Sequence, residues 1–192
     1  MRSPLSLAAA LLAVSLAAGC GSFSPRQAMS GRDMSVEHQP PAGSAAFRGL
    51  ALEKTPSIVV LKIDGDDVRS NMESVSQALV SRGYLVRNYS ATLDELTKAG
   101  LLHSRSLDPE ALRKASQIFK EEAAVAGTLE VSQLEPLRAR LSLSWIDLRT
   151  LKTLWTAKAD YSGYAIGGRN RFEAAVRDMI ERALAPLPPA RP

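Results

Sequence analysis

The run Ser57-Ile58-Val59-Val60-Leu61-Lys62-Ile63 sets the strongest limit on how this chain can fold. Its aliphatic residues occupy both alternating sets of positions, so a strand made from it must be covered on both faces. That is the signature of a central strand in a sheet flanked by helices. Asp64-Gly65-Asp66 then supplies a turn. Ser70 and Glu73 have the spacing of a helix capping box, Met72, Val75 and Leu79 share one helical face, and Gly83 stops the helix. Tyr84 to Tyr89 reads as the next strand, and a strand, helix, strand order with short joints predicts a right-handed parallel crossover.

Thr92 and Glu95 form a second capping box, over a short helix that ends near Gly100. Asp108-Pro109 opens another helix, with a cap residue followed by proline at the first helical position, and Leu112, Ala115, Ile118 and Phe119 form its apolar face. Ala123 to Val131 is a third strand. The pattern then changes to a hairpin. Leu137, Ala139, Leu141, Leu143 and Trp145 alternate with Arg138, Arg140, Ser142 and Ser144, and Trp155, Ala157, Ala159 and Tyr161 alternate with Thr156, Lys158 and Asp160. Ile146 and Leu148 fall out of phase, which predicts a bulge near Trp145. Asn170 and Glu173 form a third capping box for a last helix carrying Phe172, Val176, Met179, Ile180, Ala183 and Leu184. The expected fold is α/β (α+β): one domain in two or three layers, a mixed sheet of about five strands with a C-terminal antiparallel hairpin, and flanking helices.

Ahead of this domain the chain carries an address. One arginine, an apolar core from Leu5 to Leu16 and the small residues Ala17-Ala18-Gly19 have the pattern of a secretory signal, and the apolar stretch is too short to be a membrane span. The only cysteine of the 192 residues, Cys20, follows directly, so no internal disulfide can form. Leu16-Ala17-Ala18-Gly19-Cys20 resembles a bacterial lipobox. The resemblance implies acylation of Cys20, cleavage before it and, with Gly21 rather than Asp next, sorting to the outer membrane, where the chain faces the periplasm. Several acyl chains anchor far more firmly than one. The expected division is a signal peptide over 1–19, the acylated cysteine and a flexible tether over 20–56, the domain over 57–185 and a Pro-rich tail over 186–192. A tether of about 35 residues has a relaxed span on the order of 30 to 35 Å.

The element order behind a lipobox resembles a superfamily of periplasmic lipoprotein domains that includes the curli-secretion channel lipoprotein CsgG, the peptidoglycan-synthase activator LpoB and the N-terminal domain of TolB. The residues that carry it are Ala124-Val125-Ala126-Gly127-Thr128-Leu129, a strand ending in a Gly-Thr step, and Trp145-Ile146-Asp147-Leu148-Arg149-Thr150 with Leu154-Trp155. The second resembles the family hairpin, in which Asp-x-x-Thr-Gly precedes a tryptophan; here Leu151 replaces the glycine. The resemblance implies a binding or scaffolding module for the cell envelope, either a secretion-system accessory or a regulator of a cell-wall synthase. Its partners would be the membrane, through the lipid, and envelope proteins. Small lipoproteins of this fold also form rings in exopolysaccharide export, so a homo-oligomer is open.

The remaining chemistry is sparse. Net charge is +4 with no basic run, which does not point to nucleic acid. His38 lies in the tether and His103 in a polar loop, neither at metal-ligand spacing. No cofactor is expected, and no phosphate loop or nucleophile elbow occurs. Asp64, Asp66 and Asp67 could hold a cation or line a solvated turn; the competing class of function is a periplasmic hydrolase with an unrecognised active site, whose turnover would disappear on mutating Asp64 and Asp66. Trp145 and Trp155 fit an interface or a cross-strand core pair. Arg138, Arg140 and Lys158 share the wet face, where they could meet an acidic partner or glycan, or simply keep the protein soluble.

Overall fold

The computed structural model describes residues 34–42, 44–45, 57–65, 67–105, 108–132, 137–163 and 169–187. In chain order the elements are β1 (Met34–Gln39), β2 (Ser57–Asp64), α1 (Val68–Val80), β3 (Leu85–Val86), α2 (Tyr89–Lys98), a 3-10 turn (Leu101–His103), α3 (Pro109–Ile118), β4 (Ala123–Ser132), β5 (Leu137–Asp147), β6 (Lys152–Gly163) and α4 (Arg169–Leu184). They build an α/β domain with one six-stranded mixed sheet of order β1-β6-β5-β4-β2-β3 and four flanking helices. β2 is parallel to both β3 and β4, while β4, β5, β6 and β1 pair antiparallel in succession.

The run that opened the argument occupies the interior. Ile58, Val59, Val60 and Ile63 have no exposed surface, and Leu61 is buried. On one face of the sheet the rows Leu129–Leu141–Ala159–Val36 and Val125–Trp145–Trp155 run across the strands. The apolar stripes of α1 (Met72, Val75, Leu79) and α4 (Met179, Ile180, Ala183, Leu184) join them in one core. Each such large side chain taken from water stabilises by about 1.5–3 kcal/mol. Arg82 fastens the two helices, donating from Nη2 to the Glu181 carbonyl at 2.9 Å and pairing through Nη1 with the Glu181 carboxylate at 2.8 Å.

The stretch read as a tether differs in one place: Met34–Gln39 is a strand, zipped antiparallel to β6 with Met34 opposite Tyr161 and Gln39 opposite Thr156. Met34, Val36 and His38 turn inward while Ser35, Glu37 and Gln39 stay exposed. A period of two thus ran through a short, polar segment. Residues 46–56 of the same stretch lie outside the described residues, as do Cys20 and the signal.

Two helix starts also differ. α1 is capped by Asp67, whose Oδ1 accepts from the Ser70 N–H at 2.9 Å, so Ser70 is the third helical residue rather than the cap. α2 is capped by Asn88, whose Oδ1 accepts from the N–H groups of Ser90 and Ala91, and this shortens the preceding strand from the expected Tyr84–Tyr89 to Leu85–Val86. Asn caps a helix N-terminus better than Thr, which accounts for α2; Asp and Ser cap about equally well, so at α1 the backbone rather than residue type decides in favour of Asp67. Asn170 falls inside α4. Asp108 and Pro109 cap and open α3 as expected, with Asp108 Oδ1 accepting from the Glu110 N–H.

Candidate functional site

The hairpin register places Arg138, Arg140 and Lys158 on the sheet face opposite the α1/α4 core. Three polar rows cross it: Ser132–Arg138–Ser162, Glu130–Arg140–Asp160–Ser35 and Thr128–Ser142–Lys158–Glu37. Arg140 Nε lies 2.8 Å from Asp160 Oδ1, and this hydrogen bond, with the charge of Asp160, holds the guanidinium pKa above its usual value. Lys158 sits opposite Glu37 in register. Arg140 and Lys158 are therefore interleaved with acids, while Arg138 lies between Ser132 and Ser162. Nearer β2 the same face is closed, with Ala124, Ala126 and Ser144 buried.

The two tryptophans are core residues, not surface anchors. Trp145 is 3% exposed and meets Tyr84 edge-on, with ring centroids 5.5 Å apart. Burial in this contact pushes the Tyr84 phenol pKa up, against an opposing pull from Arg82. Trp155 is 1% exposed and stacks on His38 at 5.7 Å. His38 Nε2 lies 3.0 Å from the Ala183 carbonyl, in the last turn of α4. The histidine assigned to a tether is thus the pin that fixes β1 to the core helix. Alternation of Met34, Val36 and His38 was the available signal.

The acidic cluster separates. Asp64 pairs with Lys62 at 2.6 Å, and Lys62 Nζ also donates to the carbonyls of Leu102 and Ser104, tying the 3-10 turn to β2. Asp67 caps α1, and Asp66 lies outside the described residues. His103 is exposed at the end of the 3-10 turn. Among the described residues no three His, Cys, Asp or Glu side chains are grouped to hold a metal, and no helix is long and apolar enough to cross a membrane. A second ionic cluster was not foreseen. Arg87 bridges Glu95 at 2.7 Å and Glu121 at 3.1 Å and lies 5.6 Å over the Phe119 ring, joining the start of α2 to the joint before β4. The hydrogen bond to Glu121 leads the effects that raise its pKa; desolvation opposes them.

The two motifs behind the family resemblance have a geometric cause. Gly127 lies in β4 where β2 slips register: Val60 is opposite Val125 but Ile63 is opposite Gly127. A Cβ on Gly127 would sit 2.0 Å from the Ser142 carbonyl oxygen, so only glycine lets β5 approach. In the hairpin turn Asp147 Oδ1 accepts from the N–H groups of Arg149 (2.7 Å) and Thr150 (3.2 Å). Leu151 then adopts φ 56°, the left-handed conformation that glycine takes without steric cost. Beyond the turn Trp145 faces Trp155 but Ile146 faces Thr153, so Leu154 is the extra residue of the expected bulge.

With this geometry in view the chain can be set beside known proteins. No family model matches it, and neither does any curated protein. Solved structures do. A dodecamer of a PelC variant from Paraburkholderia phytofirmans is similar at 16% identity and TM-score 0.55, covering 82% of this chain and 99% of that one. A second PelC dodecamer from that organism gives 15% identity and TM-score 0.52, with the same coverage. Lipoprotein GNA1162 from Neisseria meningitidis gives 18% identity and TM-score 0.48 over 67% of this chain and 96% of that one. At these identities the PelC likeness shows the fold.

Proposed function

We propose that this chain is an outer-membrane lipoprotein, anchored through Cys20 and facing the periplasm, whose domain binds and scaffolds other components of the cell envelope by self-assembly into a closed ring, as an accessory of a secretion system. The observation that carries the reading is the shared fold with PelC, which is recorded as a dodecamer and matches over 82% of this chain. The sheet topology supports it. β1 and β3 end the sheet at opposite sides, so a subunit offers two different edges, and a repeated head-to-tail contact between unlike surfaces forms a ring where its rotation closes and a filament where it does not.

The length of chain before β1 favours the ring over a regulator that must reach a distant synthase. Only residues 21–33 separate Cys20 from Met34, in place of the roughly 35-residue tether. Thirteen residues span at most about 45 Å even when fully extended. Asp64 and Asp67 serve Lys62 and the α1 N-terminus, which weakens the hydrolase alternative built on the acidic cluster. Size-exclusion chromatography with light scattering on the mature protein tests the proposal. A closed oligomer with one sharp mass supports it, and a monomer at all concentrations overturns it.

A further inference from the structure

Among the described residues, the large apolar side chains with more than half of their surface exposed are Val80 at 56% and Leu85 at 68%. Both flank the same edge of the sheet. Val80 is the last residue of α1 and Leu85 the first of β3, and the turn between them is closed by the Gly83 N–H on the Val80 carbonyl and the Tyr84 N–H on the Leu79 carbonyl. The other exposed residues from 77 to 88 are Gln77, Ser81, Gly83 and Asn88, all uncharged. The charged groups of this stretch are tied down: Arg82 pairs with Glu181, and Arg87 with Glu95 and Glu121. Apolar residues scattered singly over a surface need no partner, but two on one uncharged edge have the composition of an interface centre. β3 pairs over only two residues, so its free side offers few backbone groups for strand addition and contact there falls to side chains.

We propose that the Val80–Leu85 edge docks against the β1 edge of a second copy of this chain and forms the joint of the assembly. This rests on the ring reading above and names the two surfaces that meet in it. Three observations select β1 of a copy as the occupant. First, β1 and β3 terminate the sheet at opposite ends, so a joint between them brings unlike surfaces together and repeats head to tail, as a ring requires. Second, β1 also shows apolar surface: Met34 and Val36 pack on the core with β6 on one side of them, yet remain only half-buried. Third, the two edges match in facing. Leu85 lies opposite Ser57 and Ser35 opposite Asp160, and the register across the strands puts Leu85 and Ser35 on one face of the sheet, that of Arg140. A lipid surface is the poorer occupant, because anionic headgroups call for free cations and both arginines beside the edge are paired. A stable joint buries about 800 Å² on each partner, so the two side chains form its centre and not its whole extent.

The test uses the mature acylated protein in detergent. Leu85→Glu removes one large apolar side chain from the joint, which raises its dissociation constant by about 10- to 100-fold. Light scattering should then show the mass falling towards that of the monomer on dilution, while the circular-dichroism spectrum stays that of wild type. A second arm does not depend on that variant. With Cys20 acylated, Ser35→Cys and Leu85→Cys supply the reactive thiols, which within one chain stand about 24 Å apart across five strand spacings. A short bis-maleimide cannot bridge them there, so covalent oligomers are expected from the double variant and from neither single one. An oligomer unmoved by Leu85→Glu, a double variant without cross-links, or cross-links in a single variant overturns this joint and leaves the ring standing. A monomeric wild type overturns both.

Discussion

Replacing Gly127 by alanine tests why the strand motif contains a glycine at all. The added methyl would lie 2.0 Å from the Ser142 carbonyl oxygen, 3.0 Å from its carbon and 3.1 Å from Leu143 Cδ2. The nearest obstacle is backbone, held on both sides by the β4–β5 ladder, so it cannot swing aside as a side chain would. Relief requires the two strands to part by more than 1 Å at a buried position, which strains the packing and lengthens neighbouring ladder bonds. Overpacking of this kind costs about 1–3 kcal/mol, and one buried backbone group left unpaired adds about 1–3. The expected loss is about 3 kcal/mol, which lowers Tm by roughly 6–12 °C in a domain of this size. Urea and thermal unfolding of the soluble domain measure it, with Thr128→Ala, a half-buried neighbour, as the control expected to lose less than about 1 kcal/mol. A Gly127→Ala protein within about 0.5 kcal/mol of wild type, the noise of such measurements, would refute the close-approach argument.

The remaining predictions concern the turn, the edge strand and the open face. Leu151→Gly should raise Tm by about 2 °C, because relief of about 1–2 kcal/mol of left-handed strain exceeds the extra freedom glycine gives the unfolded chain, whereas Leu151→Ala should not raise it. Asp147 is pushed up by desolvation but pulled further down by hydrogen bonds from Arg149 and Thr150 and by the Arg149 charge, so its folded pKa is lowered. Its contribution to stability is therefore present above the unfolded value of about 3.9 and lost as pH falls through the folded value; urea midpoints between pH 5 and 2 should fall more steeply for wild type than for Asp147→Asn. A truncated chain beginning at Met34 should unfold cooperatively, and one beginning at Ala42 should be several kcal/mol weaker, since it uncovers Trp155 and its row; equal midpoints would remove β1 from the domain. Arg140→Ala should leave the urea midpoint indistinguishable from wild type, because its ion pair with Asp160 is exposed and screened by solvent.

Much of the fold was legible because burial imposed a period. The apolar run of β2, the alternation in β5 and β6 and the phase break at Trp145 each have one structural solution. β1 was not legible, because its inward residues include His38, whose ring becomes apolar surface only once Trp155 lies beneath it. The caps slipped by about a turn because several polar residues preceded each apolar stripe and only backbone geometry chooses among them. At the open face, alternation put Arg138, Arg140 and Lys158 together. The pairing of Arg140 with Asp160 and the placement of Lys158 opposite Glu37 depend on register across three strands, one of which was hidden in the supposed tether. The tryptophan pair shows the converse limit: alternation gave the facing side of each ring but not what covered it.

Metabolic labelling with radioactive palmitate, followed by separation of inner and outer membranes, tests the anchored scaffold most directly. The account predicts label on the wild-type protein in the outer-membrane fraction and none on Cys20→Ser, which should be soluble in the periplasm. An unlabelled wild-type protein, or one that keeps residues 1–19 and remains in the cytosol, would contradict it.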